Sequence, residues 1–465
     1  MKVLISALSA AAVAATNTVP EQIHLALAGQ NSDGDATGFA VAWFTQDPTT
    51  VSSVEYTVAN VTNVVNGTAK QYLEDFGFHH SAKILGLAPG TAVQYRVGNE
   101  QDGWSDSYTA TTPPPHSTDR TVKFSVFGDM GYADSDLRPM AVATGGLVKH
   151  WSATYSRQTM EQLKDTGAIE AVWHLGDIGY ADDAFGHDPI KFLYEDAYNG
   201  YMNWLQNLTT VMPYMVAVGN HESECHSPVC LAEEKKAKAL SNFSAYNTRW
   251  VMPSEESGGN TNMWFSFNYG PVHFVSSNTE TDFAGAGEEN TGDSHIPWLP
   301  AGHFGADGEY LAWLEADLKA ASEARTNGTG RPWLIAGGHR PYGDLPKEAI
   351  DLYIQYGVDM YFCGHGHSYL RSVPSTPSRM ERHHDANHYR DPAAPVWVMV
   401  GGAGCEEMEQ GVTAEPGVAA PVGAEDVASA RYATGVLEAN QTALYWRVID
   451  SVNGSLIDEV TITRS

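Results

Sequence analysis

The chain has 465 residues, of which 43% are hydrophobic and 11% aromatic, and this is enough apolar material for a large core and excludes global disorder. At about 150 residues per domain, the length predicts roughly three units, or one large domain with a smaller companion. Asp and Glu total 56 against 27 Lys and Arg, a formal net charge of −29. Such a surface repels nucleic acid and anionic lipid, and it accepts an anionic substrate only where a local positive charge, such as a metal ion, reverses the field.

The N-terminus has the pattern of an export signal. Lys2 is followed by the apolar run 3–11 and by the small residues 12–14, which is typical of a cleaved signal peptide. We therefore predict a signal peptide over residues 1–15 and a secreted, extracellular protein, with the cell wall or the vacuole as further destinations. No later stretch supplies the roughly 20 apolar residues of a membrane span, so no membrane anchor is predicted.

Sequons and cysteines agree with secretion. The four cysteines allow at most two disulfides: Cys225 and Cys230 are close enough in sequence for a small loop bridge, and Cys363 and Cys405 remain either as a second pair or as two buried thiols. Seven Asn-x-Ser/Thr sequons predict a glycoprotein, and they lie at Asn60, Asn66, Asn207, Asn242, Asn327, Asn440 and Asn453.

The first part of the chain consists of short alternating strands. Turn residues separate them and no helical period is present, which indicates a small β-sandwich over residues 20–112. The predicted strands are 23–27, 39–43, 54–56 and 92–96. Residues 113–118 begin with three prolines and are predicted to form a stiff, extended linker.

After the linker, strands alternate with amphipathic helices and form a second domain over residues 119–465. The predicted helices are 156–164, 189–205 and 308–321. In the last of these, Leu311, Leu314 and Leu318 share one face and Asp307 is placed to cap the helix. Strands return over 395–465, and the Gly- and Glu-rich segment 281–304 is predicted to be a long loop.

Polar residues follow directly after apolar runs that are predicted to be strands. Side chains gather at the carboxyl ends of strands in sheet-based folds, and glycine permits the sharp turns that direct them to a common point. Six such runs, at 122–127, 169–175, 214–218, 333–336, 358–363 and 396–400, end in glycine-flanked turns, and five of these turns carry Asp129, then Asp177 with Tyr180, then Asn220, His339, and His365 with His367.

Taken together these seven residues predict a metal centre. Alone, Asp129 is compatible with a turn and His339 with a buried structural histidine, but His365 and His367 have the period-two spacing that directs both rings to one side. Seven donors exceed one coordination sphere and a carboxylate can bridge, so two ions are predicted. An oxygen-rich set of two carboxylates, a phenolate and a histidine suits Fe(III), whereas an amide with two histidines suits Zn(II), Mn(II) or Fe(II).

The motifs resemble those of the purple acid phosphatases, in their larger plant and fungal form, within the calcineurin-like metallophosphoesterases. The resemblance rests on Gly128-Asp129-Met130-Gly131, Gly176-Asp177-x-x-Tyr180, Gly219-Asn220-His221-Glu222, His339 and Gly364-His365-x-His367, and it covers nearly the whole chain. It implies an all-β, fibronectin-III-like N-terminal domain plus an α/β metallophosphoesterase catalytic domain of two packed mixed β-sheets flanked by helices.

The resemblance also implies roles for individual residues. It assigns Fe(III) to Asp129, Asp177, Tyr180 and His367, and the divalent ion to Asn220, His339 and His365 with Asp177 as the bridge. It places His221 against the substrate as the group that assists the leaving oxygen, or alternatively as a hydrogen-bonding neighbour of the ligands. Arg340, directly after His339, is either a phosphate contact or a surface ion pair.

Two departures from the family pattern and three further histidines remain. Ala336 replaces the valine usual three residues before the histidine of the fourth motif, and no histidine lies between Arg340 and Met360, where plant enzymes place further substrate-facing ones. His226 could reach the site if the cysteine loop folds over it, although such a histidine is more often exposed. His295 and His303 are predicted to be surface residues.

The function implied is acid hydrolysis of small phosphate monoesters, with a metal-bound hydroxide as nucleophile and His221 as proton donor. Alternatives are a phosphodiesterase or nucleotide pyrophosphatase on the same scaffold, a phytase, which would need further cationic groups than Arg340, and a non-enzymatic adhesion protein. The larger enzymes of the family are often dimers, so a homodimer is compatible with the sequence.

Overall fold

The structure is a computed structural model, and it describes residues 16–132, 153–288, 299, 301–382, 384–405 and 418–464. The predicted signal peptide at 1–15 and His295 lie outside these ranges. His303 is exposed, as predicted. Among the described helices, none combines the length and the apolar character that crossing a bilayer requires.

The N-terminal part is a sandwich of two antiparallel sheets. One sheet has the strand order β1-β2-β6-β5, and the other has the order β4-β3-β7-β8 with β9 also paired to β7. All four strands predicted here lie within observed ones. The bounds are β1 Glu21–Gln30, β2 Ala36–Thr45, β3 Ser53–Val58, β4 Val61–Asn66, β5 Thr68–Lys70, β6 Phe78–Ile84, β7 Ala92–Asn99, β8 Gly103–Trp104 and β9 Tyr108–Thr111.

The proline segment after β9 packs against the rest of the molecule instead of holding its two parts apart. Pro113 and Pro114 are buried, and the carbonyl of Pro113 accepts a hydrogen bond of 2.9 Å from the backbone N–H of Gly90. The expected stiff spacer is therefore a packed connection, because its apolar rings are covered by neighbouring chain.

Within the described residues the second part contains a two-stranded sheet, β18-β19, and two larger sheets of seven strands each. Their orders are β12-β11-β10-β23-β24-β25-β20 and β13-β14-β15-β16-β21-β17-β22. The bounds are β10 Val122–Phe127, β11 Ala171–His174, β12 Tyr214–Val216, β13 Phe265–Tyr269, β14 Val272–Ser276, β15 Trp333–Gly337, β16 Met360–Cys363, β17 Tyr369–Ser372, β18 Ser375–Thr376, β19 Arg379–Met380, β20 His388–Arg390, β21 Val396–Val400, β22 Glu425–Ser429, β23 Ala433–Ala439, β24 Ala443–Asp450 and β25 Leu456–Thr463.

Both sheets are mixed and they pack face to face. In the first, β10, β11 and β12 run parallel and β23 is antiparallel to β10; in the second, β14, β15, β16 and β21 run parallel. Aromatic side chains fill the space between them. Trp173 of β11 meets Phe274 of β14 at 5.5 Å, and Trp446 of β24 meets Phe362 of β16 at 4.8 Å between ring centroids. Rings at these distances contribute favourable edge contacts besides their buried area.

Helices flank the sheets. Tyr353 of α9, for example, lies 5.2 Å from Tyr361 of β16. The bounds are α1 Ala153–Asp165, α2 Tyr194–Trp204, α3 Gln206–Thr209, α4 Pro228–Leu231, α5 Glu234–Ala239, α6 Ser244–Arg249, α7 Ser254–Ser257, α8 Glu309–Thr326 and α9 Lys347–Gln355.

Two helix predictions need correction. The helix expected from residue 189 begins only at Tyr194, because the preceding residues form turns, one of them closed by the N–H of Lys191 on the carbonyl of Asp188. Asp307 does not cap α8: the residue before the helix is Gly308, at φ 77°, in the left-handed region that favours glycine. The side chain of Glu309 accepts the backbone N–H of Ala306 at 2.8 Å instead.

The four cysteines are unpaired and buried, so neither bridge considered from the sequence is present. The Cys225 thiol is in hydrogen-bonding contact with Cys230. Cys363 contacts the carbonyl of Val398 at 3.6 Å, and Cys405 lies 3.6 Å from His367 Nδ1. The two members of the second pair therefore contact different neighbours.

Candidate metal centre

The polar residues predicted from the strand ends meet at one edge of the two packed sheets. Their backbones are bent sharply, with φ of 61° at Asp129, 51° at Asp177, 49° at Tyr180 and 64° at His365. Left-handed conformations at non-glycine residues cost free energy and cluster at functional sites. Packing is also tight: a Cβ added at Gly364 would lie 2.4 Å from Asp129 Oδ2, so the glycine is required there.

One group of donors consists of two carboxylates, a phenol and an imidazole. His367 Nε2 lies 3.3 Å from Asp129 Oδ1 and 3.1 Å from the Tyr180 hydroxyl. The same hydroxyl is 3.4 Å from both Asp129 Oδ1 and Asp177 Oδ2. Donor atoms of Asp129, Asp177 and His367 all lie within 4.8 Å of one another, which is close enough for a single ion to reach them.

The second group shares Asp177 and adds an amide and two imidazoles. His339 Nε2 lies 3.0 Å from Asp177 Oδ2 and 3.1 Å from Asn220 Oδ1. His365 Nδ1 lies 3.0 Å from Asn220 Oδ1 and 3.2 Å from His339 Nε2. The structure thus brings all seven predicted residues together, in two adjacent groups joined by one buried carboxylate.

Charge is concentrated where the groups join. Burial disfavours an ionised carboxyl, but the adjacent His339 and His221 outweigh it and hold the pKa of Asp177 well below its usual range. Burial likewise opposes protonation of His339, yet the carboxylates of Asp177 and Asp129 raise its pKa to about 9. Burial raises the pKa of Asp129. These are the electrostatics of a site that attracts cations.

Neighbouring groups that sequence reasoning missed hold the ligand loops. The buried Glu222 carboxylate accepts backbone N–H groups of Asp177 at 2.9 Å, Ile178 at 2.8 Å and Gly219 at 2.9 Å. Its place directly after Asn220 and His221 was the available signal. His339 is oriented by its Nδ1–H, which donates to the Leu175 carbonyl at 2.8 Å and leaves Nε2 directed at the centre.

His221 lies beside the donors and is held by an acid. Its Nδ1–H donates to Asp182 Oδ2 at 2.8 Å, while its Nε2 is 3.9 Å from Asp177 Oδ2. Asp182 was also missed, although it follows Tyr180 by only two residues. A cavity of about 290 Å³ opens over the centre. Its lining comprises Asp177, Asp183, Asn220, His221, His226, His365 and His367.

His226 is thus part of the cavity wall, so of the two alternatives that the sequence left open the structure favours the loop that folds over the site. Its side chain is only 16% exposed. The loop after Glu222 folds back over the site, so the chain adds a histidine to His221, His365 and His367 in the cavity wall, from a segment unrelated to the one where plant enzymes carry further histidines.

Arg340 forms ion pairs with two acidic residues. Its guanidinium pairs with Glu280 at 2.9 Å and Glu288 at 2.8 Å, and its Nη1 lies 3.1 Å from His365 Nε2. This geometry favours the ion-pair alternative, with the two acids buried and Arg340 only 14% exposed instead of on the surface. Contact with a substrate phosphate stays a prediction.

Models of three families match successive parts of the chain. The purple acid phosphatase N-terminal domain matches residues 20–112, the calcineurin-like phosphoesterase domain matches 122–369, and the C-terminal region of iron/zinc purple acid phosphatase-like proteins matches 394–459. The chain belongs to the calcineurin-like phosphoesterases, in the purple acid phosphatase family. The predicted family and enzyme class are confirmed.

Individual relatives support this family assignment. Acid phosphatase A of Cryphonectria parasitica is 27% identical over 96% of this chain and 92% of its own length. Purple acid phosphatase 21 of Arabidopsis thaliana is 26% identical over 83% of this chain and 72% of its own length. The solved purple acid phosphatase PPD1 from yellow lupin (Lupinus luteus) seeds superposes with a TM-score of 0.71 at 19% identity, covering 97% of this chain and 75% of its own. This likeness shows the fold, and the predicted fold class is confirmed.

Proposed function

We propose that this protein is a secreted acid phosphatase that hydrolyses phosphate monoesters at a binuclear metal centre. One observation carries the proposal: seven donor side chains from five strand-end loops lie in two adjacent groups that share the Asp177 carboxylate. A shared carboxylate between two donor sets is the arrangement that two-metal hydrolases require.

The donor chemistry fits two different ions. Asp129, Asp177, Tyr180 and His367 form an anionic, oxygen-rich set that suits Fe(III). Asn220, His339 and His365, with Asp177 as the bridge, form a less charged set that suits Zn(II), Mn(II) or Fe(II). When bound, the ions would supply Lewis acidity to the substrate phosphate and a nucleophilic hydroxide at acidic pH.

The side chains of the cavity would hold the substrate and supply the proton for the leaving oxygen. The cavity wall would hold the ester beside the shared Asp177, while the positive charge of bound metal ions would offset locally the formal net charge of −29. His221 keeps its Nδ1–H on Asp182 at 2.8 Å, so its other ring nitrogen is the one available to pass a proton to the departing oxygen.

A phytase is less well supported than a simple monoesterase. A highly phosphorylated substrate needs several cationic side chains around the cavity. Among the described residues that line the cavity there is no Lys or Arg, and Arg340 is paired with Glu280 and Glu288. A diesterase shares the metal set, and Tyr180 favours the purple acid phosphatase chemistry, because many diesterase relatives lack that phenol.

Secretion rests on the signal-peptide pattern and on the sequons. Five sequon asparagines are exposed and accessible to glycosylation, and these are Asn60, Asn66, Asn207, Asn327 and Asn453.

The deciding experiment measures the hydrolysis rate of the purified, secreted protein near pH 5. It compares p-nitrophenyl phosphate, a monoester, with bis-p-nitrophenyl phosphate, a diester. Faster monoester hydrolysis is expected. A diester preference would move the protein to the phosphodiesterase alternative, and absence of turnover with metal loaded would favour a non-enzymatic protein.

Tyr180→Phe tests the iron assignment on the same material. A phenolate bound to Fe(III) absorbs visible light, so we expect a visible charge-transfer band in the wild type and none in the variant. Retention of the band would place the phenolate elsewhere.

A further inference from the structure

The loop that carries His226 is closed on itself next to the metal centre. It runs from the turn Asn220–Glu222 to α4, and Cys225 at its start contacts Cys230 near its end. The carbonyl of Ser223 accepts the backbone N–H of Phe243 at 3.0 Å. This closure holds His226 in the cavity wall.

His226 shares one carboxylate oxygen with His221. Asp182 Oδ2 is 2.8 Å from His221 Nδ1 and 3.1 Å from His226 Nδ1, and Asp183 Oδ1 is 3.3 Å from His226 Nδ1. The Asp182 side chain is 0% exposed, so water does not reach it to replace either ring. Its Oδ2 contacts these two histidines, so their positions bear directly on the orientation of the carboxylate.

The charge on His226 suits this role. Burial opposes its protonation, but Asp182 and Asp183 outweigh burial and raise the pKa of His226 to about 9. Its Nδ1–H donates to Asp183 Oδ1 at 3.3 Å, and the cationic ring forms an ion pair with Asp182 Oδ2 at 3.1 Å. The ion pair holds the same oxygen to which His221 donates, and a ring held through Nδ1 has its Nε2 in a defined position.

We propose that His226 is a positioning residue: through Asp182 it holds the His221 ring in the orientation that serves the leaving group. The inference rests on the proposed phosphatase function. It predicts that loss of His226 matters most for esters whose leaving oxygen needs a proton. An alkoxide needs one, whereas p-nitrophenolate departs readily without it.

The test measures kcat and KM of wild type, His226→Ala and His226→Asn with ethyl phosphate and with p-nitrophenyl phosphate. For His226→Ala we expect kcat on ethyl phosphate to fall roughly 10–100-fold, with a much smaller fall on p-nitrophenyl phosphate. His226→Asn should recover part of the loss, because its amide nitrogen can stand near the position of Nδ1 and offer an N–H to the carboxylates of Asp182 and Asp183. An equal fall on both substrates, or none, would overturn the proposal.

Two further variants keep the test decisive. His226→Leu fills the space without an N–H and replaces His226→Ala if that protein does not fold. The double variant His226→Ala/Asp182→Asn is compared with Asp182→Asn alone. Its kcat on ethyl phosphate should fall no further than that of Asp182→Asn, because both changes break the same chain of contacts. Additive losses in kcat would contradict the positioning role. His388→Ala, on the distant edge strand β20, serves as the histidine control.

The outcomes separate the two hypotheses. If the wild type hydrolyses neither ester, the proposed function fails. If the wild type hydrolyses both and the His226 variants change the two rates alike, only the positioning role fails.

Discussion

Buried histidines occur in both parts of the molecule, and their neighbours give them opposite electrostatics. In the sandwich, His80 lies between the hydroxyls of Thr45 at 2.9 Å and Ser52 at 2.8 Å, and burial lowers its pKa to about 4. At the strand ends, His339 lies 3.0 Å from Asp177, and that carboxylate outweighs burial and raises the pKa to about 9.

The difference shows what distinguishes a structural histidine from a site histidine. Burial alone produces a neutral ring whose hydrogen bonds are satisfied by hydroxyls. A cluster of buried carboxylates keeps an excess of negative charge that a proton or a metal ion must offset. His80 is satisfied by neutral hydroxyls, whereas the strand-end cluster is charged and attracts cations.

The largest effect should come from removing the shared carboxylate. Asp177→Ala breaks both donor groups at once, and the loss of several kcal/mol of transition-state stabilisation corresponds to a fall in kcat of about a thousand-fold. Turnover and bound metal per folded protein are measured together. His80→Gln, which alters only the sandwich, is the matched control and should keep both. Turnover of Asp177→Ala within tenfold of wild type would contradict the metal assignment.

A large change in stability without a change in chemistry is expected at the contact between the two parts. Arg249 pairs with the buried Glu195 at 2.7 Å and donates to Gln22 of β1 at 3.0 Å. Arg249→Met leaves the Glu195 charge uncompensated, and the free energy of unfolding should fall by about 3–5 kcal/mol, measured by urea denaturation.

The second change Glu195→Gln should restore part of that stability, because it removes the unpaired charge. Turnover per folded molecule should stay at the wild-type level. A loss below about 1 kcal/mol in the single variant would mean that the buried pair does not join the two parts.

An intermediate effect is expected from the support of the ligand loops. Glu222→Gln places an amide N–H₂ against backbone N–H groups that now donate to a carboxylate. The ligand loop should loosen, and kcat should fall roughly 10–100-fold with a smaller loss of stability. Metal affinity, measured by competition with a chelator, should fall in parallel. Unchanged affinity would show that the loop holds its shape without Glu222.

The smallest effect concerns the pH dependence of the sandwich. The unfolded state of His80 takes up a proton near pH 6.5 and the folded state only near pH 4, so the unfolded state binds more protons in between and stability falls as pH falls. From pH 7 to pH 5 this costs about 2 kcal/mol. His80→Gln should lose that part of the pH dependence in denaturation measured at both values; an unchanged dependence would contradict the neutral assignment.

Much of the site was predictable from local sequence signals. Apolar runs that end in glycine-flanked polar residues marked Asp129, Asp177, Asn220, His339 and His365, because a strand end and its turn are encoded by neighbouring residues. The strands of the sandwich were predictable for the same reason, since alternation has a period of two. The start of α8 was predicted to within one residue, but its cap was not, because the chain enters the helix at Gly308 through a left-handed conformation and not through the side chain of Asp307.

What the sequence by itself indicated was therefore the family, the main strands and the seven candidate donor residues. Only the tertiary structure decided which acids meet which bases: Asp182 and His221 are 39 residues apart, Asp183 and His226 are 43 apart, and Arg340 lies 60 residues from Glu280. These pairs depend on how loops from separate strands fold over one another. Periodicity and motif spacing describe neighbours along the chain, whereas hydrogen bonds and ion pairs depend on distance through space.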